Sequence, residues 1–418
     1  MKVPLEELPK PRELVRILVE NGEDHVTLLE SGPGFPERAR FTIVAWGVKD
    51  LVTINDELYD ELKTLYKRLG RFEDGNIAVG YLSYEAVASI EPHLAGLVKA
   101  SGWPQAEFTI PSNVVIYDYF LGRAYVKGEL PKGKPGDEGE FKVAGLVNAT
   151  DPVEYMKWVS EAIEDIKSGE VFQVVLSRYE EYGFTGDLMT FYGRLADLNP
   201  SPYMYFMKMG NRHIIGTSPE LLVKVDGLRV ETHPIAGTRP RGRDSWDDIR
   251  LEEELLSSIK DKAEHIMLVD LARNDIGKVC VYGSVKVKEL YAIEKYQSVQ
   301  HLVSRVEGTL DKGNDIVDAL VATFPAGTVS GAPKPRAMEL IAKYENSPRG
   351  PYAGALGVMH GGGGEFAIII RSLFAINGVA RIQAGAGIVY DSKPELELME
   401  TEHKLGSLKS AMGESHHE

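Results

Sequence analysis

Strand-forming segments that follow one another through turn residues are the feature of this sequence that most constrains its fold. Such segments include FTIVAWG from residue 41, SNVVIYDYFLGRAYV from residue 112, NRHIIGTS from residue 211 and RIQAGAGIVY from residue 381. Consecutive strands joined by short turns pair antiparallel, because a parallel pair needs a long crossover connection. We therefore predict an α+β fold with mainly antiparallel β-sheets.

Helices interrupt the strands, and one polar segment divides the chain. Helical periodicity is present over 151–170, 247–272, 334–345 and 394–411. Residues 129–142, ELPKGKPGDEGEFK, are rich in proline, glycine and charge, which is typical of a linker or a long surface loop. We predict two regions, 1–145 and 146–418, packed as one intertwined unit.

Composition opposes several classes of function. The formal net charge of the 418 residues is −15, which disfavours nonspecific binding to nucleic acid or to an anionic membrane surface. The single cysteine, Cys280, rules out an intrachain disulfide and a cysteine-rich metal site, so a reducing compartment is expected. The sequence shows neither a signal-peptide core nor an apolar run of membrane-spanning length. We expect a cytoplasmic protein that binds neither nucleic acid nor membrane.

The helix predicted over residues 260–275, KDKAEHIMLVDLARND, carries carboxylates on the face that should be apolar. At about 100° per residue, Asp261, Glu264, Leu268 and Asp275 fall on one stripe. Burial of an ionised carboxylate is costly unless a cation or several hydrogen-bond donors receive it. The stripe therefore predicts that a cation or several hydrogen-bond donors lie next to Glu264.

A second acidic helix follows near the end of the chain. In DSKPELELMETEHKL, Glu397 and Glu400 lie three residues apart on one helical face. Two helices that each present such carboxylates could hold a hard divalent cation such as Mg2+, which takes one or two carboxylates and leaves its other positions to water and substrate. Taken alone, either pair also fits an ordinary solvated helix face.

Two segments rich in small residues could receive an anion. FPAGTVSGAPKPRAM, residues 324–338, places Thr328 among glycines ahead of a helix, and QAGAGIV places Gly385 and Gly387 on one face of a strand. Small residues let backbone N–H groups approach an oxyanion. The segments predict cradles for carboxylates, with an ordinary turn as the alternative.

Three further side chains lie where polar groups are unexpected. Strand alternation places Arg371 on the same face as Ile369 and Leu373, where its guanidinium needs a carboxylate partner or ligand. His301 lies in an apolar strand and, taken alone, fits a satisfied core histidine. Tyr352, in GPYAGALG, has neighbours small enough to expose its hydroxyl.

Taken together, these motifs resemble the chorismate-utilising enzymes. The segments that carry the resemblance occur in the order of that family and cover nearly all of 150–410: GEVFQVVLSR, GTSPELL, PIAGTRPRG, KDKAEHIMLVDLARND, VQHLVSRVEG, FPAGTVSGAPKPRAM, GPYAGALG, QAGAGIV and ELELMETEHKL. The resemblance is strongest to the members that form anthranilate. It implies sheets packed as a sandwich with helices on the outside, a chorismate-binding catalytic region at 146–418 and a regulatory region at 1–145.

The resemblance also implies the roles of individual residues. Glu264 and Glu400, with Asp261 and Glu397 behind them, match ligands of a Mg2+ ion that grips the ring carboxylate of chorismate. The positions that match substrate contacts are Thr328, Tyr352, Arg371, Ala384, Gly385, Gly387 and Lys404.

The residues that match the catalytic groups follow from the same comparison of motifs. Glu220 matches the acid that helps the C4 hydroxyl to depart, and His301 matches the histidine of pyruvate elimination. Thr238, in PIAGT, belongs with the catalytic positions.

Two positions separate the reactions of the family. Gln173 stands where isochorismate and salicylate synthases carry a lysine that activates water, and an amide has no basic lone pair for that role. Ala236 stands where aminodeoxychorismate synthases commonly carry a nucleophilic lysine. Direct attack of ammonia at C2 is therefore expected. An aminodeoxychorismate synthase and a noncatalytic sensor of chorismate or tryptophan are the alternatives.

The resemblance further implies a partner and an inhibitor. Ammonia would come from a separate glutamine amidotransferase subunit, because Cys280 lies in an apolar run without a glycine-rich nucleophile turn. LLES at 28–31, with Arg38 and Arg40, and NPSPYM at 199–204 match the element that binds tryptophan, although a capped turn and a strand start would explain them equally. The residues expected to contact tryptophan are Glu30, Ser31, Arg40, Pro202, Tyr203 and Met204.

Overall fold

The structure, a computed structural model, describes residues 1–32, 40–297 and 299–413. Its helices are α1 (Pro11–Glu20), α2 (Leu58–Tyr66), α3 (Val87–Ile90), α4 (Pro152–Lys167), α5 (Leu188–Leu198), α6 (Ser245–Ser257), α7 (Ile259–Gly277), α8 (Ile316–Thr323), α9 (Gly327–Ser330), α10 (Lys334–Tyr344) and α11 (Pro394–Met412). Its strands are β1 (Lys2–Pro4), β2 (His25–Glu30), β3 (Phe41–Ile54), β4 (Ile77–Leu82), β5 (Ala106–Asp118), β6 (Arg123–Lys127), β7 (Phe141–Ala149), β8 (Gln173–Gly186), β9 (Tyr203–Met209), β10 (Arg212–Ser218), β11 (Leu221–Asp226), β12 (Arg229–Thr232), β13 (Ile235–Pro240), β14 (Lys286–Lys295), β15 (Val299–Thr309), β16 (Gly331–Ala332), β17 (Ala355–His360), β18 (Gly363–Ile368), β19 (Ser372–Ile376) and β20 (Val379–Ile388).

The strands form one continuous antiparallel network. Its first layer runs β7–β8–β20–β19–β10–β9–β2–β3. The long strand β5 pairs with both β3 and β4 and so joins the first layer to a second. The second layer continues from β4 through β17, β18, β11, β12 and β15 to β14. The prediction of an α+β fold built on antiparallel sheet is confirmed.

Side-chain alternation along β9 shows how the layers pack. Tyr205 and Met207 share one hydrophobic core with Phe108 and Phe366 of the second layer. The residues between them point the other way, into a core that helices α1, α5 and α11 cover from outside. β9 is thus buried on both faces, as in the centre of a sandwich flanked by helices.

Two backbone breaks differ from the sequence prediction. The helix predicted over 247–272 is two helices, because Ser258 is extended and its hydroxyl accepts a hydrogen bond from the backbone N–H of Asp261 at 3.2 Å. The apolar run at 365–376 is not one strand either, since it breaks after β18 and Arg371 adopts a positive φ of 51°. Arg371 therefore does not continue the strand alternation that was expected.

Strand pairing joins the two predicted regions. β2 pairs with β9 and β4 pairs with β17, so the network contains strands from both sides of residue 145. Gly145 itself lies in β7 and pairs with Gly183. The division into a regulatory and a catalytic region stays a prediction. Among the helices of the described ranges, none is long and apolar enough to cross a membrane.

Candidate active site

A cavity opens where α7, α9 and α11 meet the strands β8, β13, β15 and β20. It brings together all the residues predicted for catalysis and substrate binding and two of the predicted metal ligands: Gln173, Glu220, Ala236, Thr238, Glu264, His301, Thr328, Tyr352, Arg371, Ala384, Gly385, Gly387, Glu400 and Lys404. The other two predicted ligands, Asp261 and Glu397, line the wider space at its mouth together with Glu264 and Glu400.

Glu264 is the carboxylate that the inward face of α7 carries into this cavity. The pKa of Glu264 is raised by burial and by the nearby charges of Glu400 and Asp261. The side-chain amide of Gln173 donates to Oε1 of Glu264 at 3.1 Å, and Asp261 is paired with Arg239 at 3.0 Å. Mutually repelling carboxylates at a buried position favour a shared proton or a cation.

On α11 the two acidic residues have different surroundings. Burial raises the pKa of Glu397 despite a hydrogen bond from Ser392. Glu400 is half exposed and accepts a hydrogen bond of 2.7 Å from Lys404, which also donates to the carbonyl of Gly385 at 2.8 Å. Lys404 therefore ties α11 to β20 at the cavity wall.

The oxygen donors suit a hard cation, although they do not enclose one. In the described part of the chain, no cluster of three or more histidine, cysteine or acidic side chains is close enough to hold a metal ion. Glu264 and Glu400 on facing helices would supply two carboxylates and leave the remaining positions of a Mg2+ ion to water and an anionic ligand. The donor set fits magnesium in that form.

Glu220 is a buried acid just before β11. The hydroxyl of Thr328 donates to its Oε1 at 2.8 Å. Burial raises the pKa of Glu220 to about 8, against the opposing effects of Thr328 and the more distant Arg371. A carboxyl group with this pKa is mostly protonated at neutral pH and can act as a general acid.

His301 lies across the cavity on β15. Its Nδ1 is 2.9 Å from the hydroxyl of Thr238, and its Nε2 is buried without a hydrogen-bond partner among the described residues. Burial, with a further contribution from the charge of Arg371, lowers the pKa of His301 to about 3. The imidazole is therefore neutral at physiological pH, with one ring nitrogen fixed and the other available to a ligand.

Arg371 and Tyr352 present cationic and hydroxyl groups to the same space. Arg371 lines the cavity at the strand break where its φ is positive, and burial lowers the pKa of its guanidinium, which stays charged at neutral pH. Tyr352 is buried and lines the cavity. The tyrosine that was expected to expose its hydroxyl therefore faces an internal space and not the outer surface.

The glycines of β20 let other groups approach closely. A Cβ atom at Gly385 would lie 2.8 Å from the hydroxyl of Tyr352, and one at Gly387 would lie 2.3 Å from Nε2 of Gln173. Side chains at these positions would displace the groups that face the cavity. The small-residue pattern thus reflects close packing at the site rather than a free turn.

A second cavity collects the residues predicted to bind tryptophan: Glu30, Ser31, Arg40, Pro202, Tyr203 and Met204. Pairing of β2 with β9 places Glu30 opposite Met204. Glu30 already accepts hydrogen bonds from Arg12 at 2.9 Å and from Tyr192 at 2.7 Å, and Arg40 is paired with Asp118. Arg38 lies outside the described residues.

Sequence reasoning missed the groups behind the cavity wall. Gln383 lines the cavity, and a buried ion pair between Glu345 and Arg349 lies beneath it. The spacing of these two charges, which lie four positions apart in the sequence, is the signal that could have revealed the pair.

Comparison with known proteins agrees with this geometry. The model of the chorismate binding enzyme family matches residues 25–410. Anthranilate synthase component 1 of Saccharolobus solfataricus is 49% identical over 418 residues, covering 98% of this chain and 99% of the relative. The protein of the same name from Aeropyrum pernix is 50% identical over 416 residues, covering 98% and 95%.

A solved structure is similar as well. The crystal structure of anthranilate synthase component I from Streptococcus pneumoniae superposes with a TM-score of 0.77 at 33% identity, covering 90% of this chain and 92% of that one. The matched segment includes all the residues that line the candidate active site. The chain therefore belongs to the chorismate-binding enzyme family.

Proposed function

We propose that this chain is the large subunit of an anthranilate synthase. It would convert chorismate and ammonia to anthranilate and pyruvate by way of aminodeoxyisochorismate, the first step of tryptophan biosynthesis, in the cytoplasm. The observation that carries the proposal is the presence in one cavity of a buried acid with a raised pKa, Glu220, and a buried histidine with a lowered pKa, His301. The names of the similar proteins support the same product.

The substrate carries two carboxylates, and the cavity offers matching groups. Arg371 supplies a buried cation for one of them, while Tyr352 and the close backbone of Gly385 supply neutral hydrogen-bonding groups. These contacts would orient the ring with C2 open to ammonia. The neutral amide of Gln173 lacks the basic lone pair needed to activate water there.

Amination is the first step of the proposed reaction. Ammonia attacks C2, the two ring double bonds each shift by one position towards C4, and the C4 hydroxyl leaves as water with the proton of Glu220. The nucleophile then loses a proton, and Glu220 regains one before the next cycle. Ala236 has no nucleophilic group, which favours this direct attack over a covalent adduct.

Elimination is the second step. His301 accepts the proton from C2 while the C3–O bond breaks, and the released enolpyruvate takes up a proton to become pyruvate. The product ring is aromatic, so the step is strongly favourable. The hydroxyl of Thr238 forms a hydrogen bond with Nδ1 of His301, so Nε2 of the same ring is the atom that takes the proton.

Magnesium would be held by Glu264 and Glu400, with Asp261 and Glu397 behind them. The ion would supply positive charge to the ring carboxylate of chorismate. The raised pKa values of Glu264 and Glu397 support a cation at this position, because a bound cation would relieve the repulsion between the carboxylates.

The source of ammonia is proposed to be a glutamine amidotransferase subunit, component II of the same enzyme. A glutaminase needs a reactive thiolate, whereas burial raises the pKa of Cys280 to about 11. Free ammonium salts should replace the partner in vitro.

Tryptophan is proposed to inhibit from the second cavity. Pro202 and Tyr203 support an apolar contact there, and Ser31 is a small residue at the wall. Ser31→Leu should fill part of this cavity and raise the tryptophan concentration needed for half inhibition, with an unchanged KM for chorismate. Equal inhibition of the variant and the parent chain would remove the assignment.

One assay tests the proposed reaction. The chain is mixed with chorismate, Mg2+ and an ammonium salt at alkaline pH, and anthranilate fluorescence is followed with pyruvate quantified in parallel. Formation of both products, abolished by EDTA, is expected. Aminodeoxychorismate or isochorismate would instead contradict the interpretation of Ala236 or Gln173, and absence of turnover would favour a noncatalytic sensor.

A further inference from the structure

A buried ion pair lies behind the wall of the active-site cavity. Arg349 and Glu345 are only 2% and 6% exposed, and two parallel hydrogen bonds join them, from Nε to Oε2 at 2.9 Å and from Nη2 to Oε1 at 2.6 Å. Neither side chain lines the cavity. Such a pair gives little net stability, since removing two charges from water costs about as much as their attraction returns.

The other hydrogens of Arg349 reach two segments that form the cavity. One donates to the carbonyl of Val329, the neighbour of Thr328, at 2.8 Å. Another donates to the carbonyl of Val175, two residues beyond Gln173 on β8, also at 2.8 Å. Arg349 thus joins α9 to β8.

An aromatic contact adds a third segment. The guanidinium carbon of Arg349 is 5.6 Å from the ring centre of Tyr352 and 4.6 Å from that of Tyr84. These distances are within the range of cation–π attraction. The ring that presents the Tyr352 hydroxyl to the cavity is therefore packed against the same guanidinium.

Glu345 extends the connection to a fourth segment. Its Oε1 accepts hydrogen bonds from the backbone N–H and the hydroxyl of Ser177, at 2.7 and 2.9 Å. The hydroxyl of Ser177 in turn accepts from the amide of Gln383 at 2.8 Å, and Gln383 precedes the Ala384–Gly385 stretch of β20.

We infer that Arg349, held by Glu345, is the positioning residue of the chorismate site. Its contacts fix three groups relative to one another: α9, which carries Thr328; β8, which carries Gln173; and the ring of Tyr352. A planar guanidinium with five fixed donors can satisfy these directions together, whereas the single ammonium of lysine cannot. The inference rests on the proposed function for the identity of the ligand.

The test compares Arg349→Lys with Arg212→Lys. Arg212 also pairs with a buried glutamate, Glu107, but contacts no residue of the cavity, so its variant controls for the loss of a buried pair. Chorismate affinity is measured by calorimetry with Mg2+ and without ammonia, together with KM, kcat and the urea midpoint. Arg349→Lys should raise Kd and KM at least tenfold and change kcat less, while Arg212→Lys stays within twofold of the parent chain.

Binding data separate this inference from the proposed function. If the parent chain binds chorismate but makes no anthranilate, the proposed reaction is refuted. The chorismate Kd values of Arg349→Lys and Arg212→Lys still test the positioning role in that case. A Kd for Arg349→Lys within twofold of the parent, or no weaker than that of Arg212→Lys, would overturn the inference.

A second variant keeps the test valid if Arg349→Lys does not fold. Glu345→Gln keeps the oxygen that accepts from Ser177 and removes the charge that holds Arg349. It should also weaken chorismate binding about tenfold. Unchanged affinity in this variant would overturn the positioning role.

Discussion

The hydroxyl of Thr328 donates a hydrogen bond of 2.8 Å to Oε1 of Glu220. This single bond joins the small-residue segment ahead of α10 to the buried acid ahead of β11, two parts of the chain that are far apart in sequence. A donor at a carboxylate stabilises the ionised form, so Thr328 lowers the pKa of Glu220 while burial raises it. The balance of the two effects sets the pH range over which the acid is protonated.

Replacing Thr328 by valine should therefore shift the alkaline side of the pH profile. Without the hydrogen bond, the pKa of Glu220 should rise above its value of about 8, by roughly one unit for a bond to a charged group. The decline of kcat/KM at high pH should move upward by the same amount. Thr328→Ser keeps the hydroxyl and is the control, and equal profiles for both variants would contradict the assignment.

Glu220→Gln should abolish activity. It should also remove the part of the pH dependence of stability that comes from Glu220. The folded pKa of about 8 lies above the ordinary value of 4.5, so the folded state holds the proton more tightly, and stability should fall as pH rises from about 4.5 to about 8. For a fully buried group the loss is on the order of a few kcal/mol.

Urea denaturation at both ends of that pH range checks this expectation. The parent chain should lose more stability between pH 5 and pH 8 than Glu220→Gln does. Glu264 and Glu397 also have raised pKa values, so the difference between the two proteins, and not the slope of either, is the decisive quantity. Parallel slopes would show that Glu220 does not titrate in the folded chain as proposed.

Periodicity in the sequence predicted the antiparallel sheets and the inward carboxylate of α7, because alternation and helical repeat follow directly from burial. It did not predict the break at Arg371, where the chain takes a positive φ that an apolar run does not reveal. The sequence also could not predict the partners of Asp261 and Glu345, because Arg239 and Ser177 come from other segments and contact them only in the folded chain. Local pattern determines which groups are buried, and tertiary packing determines what they touch.

Glu264→Gln should separate magnesium binding from folding. The amide keeps an oxygen for the hydrogen bond from Gln173 but removes the charge that repels Glu400, so the unfolding free energy without Mg2+ should rise. Calorimetric binding of Mg2+ in the presence of chorismate should be lost. Asp270→Asn, on the exposed side of the same helix, is the control. Magnesium affinity equal to that of the control would remove Glu264 from the metal site.

His301→Met should slow elimination more than amination. The thioether fills a similar volume but accepts protons very weakly, so aminodeoxyisochorismate should accumulate while anthranilate formation falls by roughly a hundredfold or more. Chromatography of quenched reactions measures both compounds, with His93→Met at an exposed position as the control.

Because the pKa of His301 is about 3, the elimination rate of the parent chain should not fall through protonation of this residue above about pH 4. Equal losses of intermediate and product would place His301 in the first step and contradict its assignment to the second.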